Sequence, residues 1–184
     1  MWQLKNPDPV KLMVGILAAD RKCLHAAVEA VIDKFGKTDL TSHVWPFSET
    51  DYYREETGPT ILRQFICFEK LIGPEKLAKI KLVTNKLEKK LAKKLGIPLT
   101  RPVNLDPGII EPAKVILATT KNFSHRIYIG KRLYAEVTLI FSKGAWQASE
   151  YTFPDYKTAH YQEFFTRVRI RLLEQLKSRR RRTE

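Results

Sequence analysis

The spacing of apolar positions changes several times along the chain, and each change marks an element. Residues 10–18 (Val-Lys-Leu-Met-Val-Gly-Ile-Leu-Ala) form a nearly continuous apolar run, too short and too tightly bounded for a helix, which predicts a buried strand. Asp20 then suits an N-cap. From there Leu24, Ala27, Val28, Val31, Ile32 and Phe35 step by three and four as far as Gly36, the pattern of a helix closed by glycine. Residues 41–47 predict a weaker strand that Pro46 confines to an edge or an end. A polar connection over residues 48–59 leads to a third strand over 60–72, ended by Gly73-Pro74. The next helix runs to about Leu95. Leu77, Ile80, Val83 or Thr84, Leu87, Leu91 and Leu95 form its apolar face, the lysines lie opposite, and Gly96 and Pro98 close it. A strand over 102–109 completes the order β-α-β-β-α-β. That order predicts an α+β fold with a ferredoxin-like core, two helices covering one face of an antiparallel sheet.

Beyond it, residues 111–119 read as a short helix starting at Pro112. Residues 125–129, 133–141 and 146–153 alternate as the strands of a β-meander, broken at Gly130-Lys131-Arg132 and Lys143-Gly144-Ala145. A last helix from about Lys157 buries Tyr161, Phe164, Phe165, Val168, Leu172 and Leu176. The expectation is therefore a single domain over residues 1–184. It divides into a ferredoxin-like core (1–109), a packed extension ending in a basic helix (110–176) and a basic disordered tail (177–184).

Composition adds a charge pattern to this frame. The net charge is +13. Residues 75–94 hold eight lysines against two glutamates, and residues 177–184 hold five basic residues against one glutamate, so one helix and one tail account for ten of those charges. Such a field attracts polyanions, yet it is not a site by itself. No stretch approaches the ~20 apolar residues of a membrane span, and no leader pattern precedes residue 10, which predicts a cytoplasmic protein without a membrane partner. Cys23 and Cys67 sit among apolar neighbours and read as buried free thiols.

Several familiar chemistries have no motif here. There is no Gly-x-x-x-x-Gly-Lys-Ser/Thr, no Gly-x-Gly-x-x-Gly and no Gly-x-Ser-x-Gly. His25, His43, His125 and His160 are too scattered to set two ligands on one face of an element, so no zinc site is expected. No residue pattern assigns a cofactor.

Against that background a few polar residues stand out. In Asn104-Leu105-Asp106-Pro107-Gly108 a strand ends in an aspartate before a Pro-Gly turn; Asp106 either caps that turn or presents a base or cation ligand at the sheet edge. Thr119, Thr120, Lys121, His125 and Arg126 form a polar loop that suits a phosphate or carboxylate, or is simply solvated. Alternation sets Tyr134, Glu136 and Thr138 on one strand face and Ala135, Val137 and Leu139 on the other, making a solvent face or a cleft wall. Arg63 interrupts an apolar strand and needs a partner if buried, with Asp51, Glu55 and Glu56 as candidates. Lys81 and Asn85 share a helical face, and Asp155 reads as an N-cap.

The segments Asn104-Leu105-Asp106-Pro107-Gly108, Ala118-Thr119-Thr120-Lys121, His125-Arg126-Ile127-Tyr128, Tyr134-Ala135-Glu136-Val137-Thr138-Leu139 and Pro154-Asp155-Tyr156, in this order, resemble a family of small bacterial proteins known only as a domain of unknown function. The resemblance spans nearly the whole chain and implies a shared fold without an assigned activity or catalytic residues. Some members are labelled GTP-binding; this chain has no visible phosphate loop. The leading expectation is thus an enzyme or binding protein for a small anionic, phosphorylated or nucleotide-like ligand. Asp106, Glu136 and His125 would do the chemistry, with Asp106 or Glu136 as base or divalent-metal ligand, and Arg63, Thr119, Thr120, Lys121 and Arg126 would hold the ligand. The alternative is an RNA-binding or ribosome-associated module using the helix from Lys76 to Lys94 and the tail from Arg179 to Arg182.

Overall fold

A computed structural model describes residues 3–47 and 54–181. The apolar run becomes β1 (Lys11–Ala18), the strand flanked by β4 (Ile61–Phe68) and β5 (Val103–Glu111), both antiparallel to it. Its run is continuous because both of its faces are covered. On one face Leu12, Val14 and Ile16 pack under α1 (Arg21–Phe35) and α3 (Leu77–Leu95). On the other, Met13 packs with Phe65 and Cys67 under Tyr161, Phe164, Phe165 and Val168 of α4 (Ala159–Arg180). Asp20 caps α1, accepting from Cys23 N–H at 2.7 Å, and Gly96 closes α3 with φ +61°.

Among the described residues all strands join one antiparallel sheet in the order β2-β4-β1-β5-β6-β8-β7, with β2 (Thr38–Thr41), β6 (Lys114–Thr119), β7 (Ile127–Gly130) and β8 (Leu133–Ser142). β3 (Trp45–Phe47) also pairs with β4, and β9 (Ala145–Ala148) with β8. The single strand expected over 41–47 is thus split in two, both segments lying along β4. A four-residue helix, α2 (Arg54–Thr57), precedes β4.

Three expectations for the second half are corrected. The segment 111–119 is not a helix: Pro112 and Ala113 make a hairpin turn, and β6 follows, with Val115 and Leu117 in the core beneath α4 while Ile116 and Ala118 pack on the opposite face. The later strands are not a simple meander, since β6 pairs with β8 while β7 and β9 lie end to end along β8's other edge. The strand expected over 146–153 stops at Ala148; Thr152 Oγ1 accepts from Ser149 N–H and donates to the Thr138 carbonyl, turning the chain into a 3-10 turn at Pro154–Lys157. α4 runs on to Arg180, so the helix includes the first residues of the tail expected to be disordered, and Arg182 lies outside the described residues. Among the described residues no helix is long and apolar enough to cross a membrane.

Candidate functional site

The sheet carries a split between β5 and β6. β1 pairs with β5 from Val103 to Ile110, whereas β6 joins β5 only from Gly108 to Glu111. Upstream, two side chains of α3 take the place of a strand: Leu105 N–H donates to Glu88 Oε1 at 2.8 Å, and Lys81 Nζ donates to the Leu105 carbonyl at 3.0 Å. Backbone groups alternate sides along a strand, so Pro107 faces the same edge as Leu105, and its missing N–H ends the ladder there. Asp106-Pro107-Gly108 is therefore mid-strand, not the turn expected from its composition. Gly108 then lets β6 close in, because a Cβ at this position would lie 2.6 Å from the Ile116 carbonyl oxygen.

The split opens a cavity of about 460 Å³, the size of a small-molecule site. Arg63, Asp106, Thr119, Thr120, Lys121, Arg126 and Glu136, all singled out from the sequence, line it. His125 stands behind Glu136, its Nε2 3.2 Å from Oε2 and its ring stacked on Tyr151 at 4.4 Å.

One wall is a chain of hydrogen bonds converging on Asp106. Arg101 binds Glu88 at 2.9 Å and donates to Asn104 Oδ1; Asn104 Nδ2 donates to Asp106 Oδ2 at 2.6 Å; Lys81 Nζ reaches Asp106 Oδ1 at 3.3 Å. Thr57 and the Glu56 carbonyl pin the Arg101 backbone from α2. Burial pushes the Asp106 carboxyl up, but Lys81, Arg63 and Arg101 outweigh it and hold the group below the usual carboxylate value. For Glu88 burial prevails over Lys81 and Arg101, and its carboxyl is raised.

The second wall is built on Arg63. Its Nη2 donates to Asp155 Oδ2 at 2.8 Å, both side chains being 5% exposed. The guanidinium lies over Phe47 and Phe65, at 5.1 and 5.3 Å, above Gly15, where a Cβ would come within 3.1 Å of Nη1. Asp155 is thus Arg63's partner and not an N-cap; Glu56 instead approaches Arg101 at 3.9 Å, and the side chains of Asp51 and Glu55 lie outside the described residues. Burial raises the Asp155 carboxyl against the pull of Arg63. Arg63 Nε and Nη1 and the buried Tyr156 Oη have no hydrogen-bond partner among the described residues.

On the third side Glu136 Oε2 accepts from Arg126 Nε at 2.7 Å, and Arg126 Nη1 donates to the Lys121 carbonyl at 3.2 Å, shaping the loop. Glu136 and Thr138 are buried and Val137 is exposed, so this polar part of β8 faces inward, with Glu136 on the cavity wall. A bulge at Thr138 breaks the expected alternation and brings Leu139 into the core beneath α4.

Lys81, Glu88, Arg101, Asn104, Asp155 and Tyr156 are the site residues that the sequence reading did not assign. A signal for two of them was present: Leu77, Lys81, Thr84, Glu88 and Leu91 follow three-four helical spacing, which sets a lysine and a glutamate on the buried stripe. Asn85 lies outside the cavity lining. Among the described residues no three His, Cys, Asp or Glu side chains group so as to hold a metal ion.

The chain belongs to the family described as a domain of unknown function (DUF4416), whose model matches residues 8–171. No curated protein and no solved structure matches it.

Proposed function

We propose that the chain binds a small anionic ligand, phosphorylated or nucleotide-like, in the cavity between β5 and β6. The observation that carries this reading is the lining of that cavity, which carries Arg63, Lys81, Arg101, Lys121 and Arg126. An oxyanion accepts charge-assisted hydrogen bonds from several such donors at once. The five cationic side chains lining the cavity outnumber its three carboxylates, which favours an anion further. Thr119, Thr120 and Lys121 also line it, and the threonine hydroxyls supplement charge.

Binding fits the site better than proton-transfer catalysis. An effective base has a pKa near the working pH, and Asp106 is held below the ordinary carboxylate value. Glu136 is engaged by Arg126 and His125, so both Glu136 and His125 act in this reading by positioning Arg126 and its loop. The test is thermal denaturation with inorganic phosphate, pyrophosphate, a sugar phosphate and GTP, in wild type and Arg63→Gln. Ligand at 100 times its Kd stabilises by about 2.7 kcal/mol. At least one anion is expected to raise the midpoint of wild type alone; no shift with any of them rejects the reading.

The order β2-β4-β1-β5, with α1 and α3 on one face, supports reading residues 11–111 as a ferredoxin-like sandwich. In that reading β6–β9 and α4 are additions, and the cavity opens at the seam.

A second reading concerns the surface. Lys76, Lys79, Lys86, Lys89, Lys90, Lys93 and Lys94 are exposed along the helix whose Glu88 faces inward, which favours contact with a nucleic acid such as RNA. Binding that falls steeply from low to physiological salt without sequence preference would reduce this face to a non-specific polyanion surface; sequence-selective binding that survives physiological salt would support the reading.

A further inference from the structure

Building on the anion-binding reading, we infer that the ligand carries hydroxyl groups beside its anionic group, as a sugar phosphate does, and that Asp106 accepts from them. The Asp106 side chain is buried by its neighbours but keeps 26% exposure and lines the cavity. Lys81 occupies one acceptor position on Oδ1 and Asn104 one on Oδ2. An ionised carboxylate offers about four, so acceptor capacity remains for a ligand.

Charge selects the donor. Asp106 is hemmed by Lys81, Arg101 and Arg63, so a ligand ammonium seeking it meets cations. A second anion placed there meets Asp106 itself. A neutral hydroxyl donates to the carboxylate without either conflict. Arg63 and Tyr156 line the same cavity as Asp106, so a molecule that sets its anionic group against Arg63 brings neighbouring hydroxyls within reach of Asp106. Volume agrees: about 460 Å³ is far more than one oxyanion fills, given a share of roughly 30 Å³ for a water molecule.

The experiment is calorimetric titration, in phosphate-free buffer, of inorganic phosphate, ribose 5-phosphate and n-butyl phosphate. A hydrogen bond to a charged group is worth about ten- to hundred-fold in affinity. Ribose 5-phosphate is expected to bind wild type at least ten-fold more tightly than butyl phosphate, and Asp106→Asn to erase most of that preference. The wild-type comparison needs no variant, so it stands even if Asp106→Asn fails to fold. Equal binding of the two esters, lost in Arg63→Gln, overturns the hydroxyl inference and leaves the anion site intact. No binding of any of the three rejects both for this ligand class.

Discussion

Arg63 and Asp155, 92 positions apart in the chain, meet in an ion pair of 2.8 Å with both side chains almost wholly buried. The pair joins β4 to the turn that launches α4, so one contact ties a cavity wall to the start of the last helix. Removing one partner of a buried pair leaves an uncompensated charge and costs about 3–5 kcal/mol. Asp155→Asn is expected at the low end, near 3 kcal/mol, because the amide still accepts a hydrogen bond; Asp155→Ala belongs at the high end. Urea denaturation of the two variants checks both the size and the order.

The two carboxylates of the Asp106 wall have opposite pH signatures. Asp106 is lowered in the folded chain, so its stabilisation is complete above the ordinary carboxylate value and is lost as pH falls through the folded one. Glu88 is raised, so its contribution is complete below the ordinary glutamate value and is lost as pH rises through the folded one. Stability curves against pH should show Asp106→Asn flattening the acid side. Glu88→Gln should remove a decline at higher pH. Identical slopes in wild type and both variants would contradict the described electrostatics.

Pro107→Ala restores an N–H on the edge of β5 that faces the split. The ladder to β6 is then expected to extend towards Ala118 and narrow the cavity. The new amide at residue 107 should exchange slowly, with ligand affinity falling while global stability is kept. Exchange as rapid as at solvent-exposed amides would show that proline does not hold the strands apart.

At Gly108 the problem is space. A Cβ sits 2.6 Å from the Ile116 oxygen and 2.7 Å from Leu117 Cδ2, so Gly108→Ala must push β6 away. Overpacking of this kind costs about 1–3 kcal/mol, measurable as a lowered Tm. Gly144→Ala offers the contrast: its Cβ would meet nothing, so the cost there comes from the positive φ alone.

Periodicity revealed most of the helices and strands because local pattern and tertiary burial agree there. The α4 stripe from Tyr161 to Leu176 is buried as its spacing implies, and β1 is covered on both faces. What periodicity did not reveal depends on partners distant in sequence. Asp155 had every local mark of a cap, yet its partner lies in β4. Lys81 looked like one more solvated lysine until β5 supplied a carbonyl and a carboxylate. Pro107-Gly108 read as a turn because only the neighbouring strand makes a proline useful inside a sheet. The polar residues picked for the cavity were visible one by one, since each interrupts an apolar context, but their meeting in one space follows from the split.

That split also bears on how the protein keeps company with itself. A sheet with a gap in its middle exposes backbone groups to which a stray extended segment of another chain is able to pair, the route by which strands recruit one another into aggregates. Here Glu88 and Lys81 occupy that slot in each molecule, acting as a stopper made of side chains. The helix beside the cavity thereby guards the opening that Pro107 leaves, and variants that weaken its grip should lose solubility as well as shape.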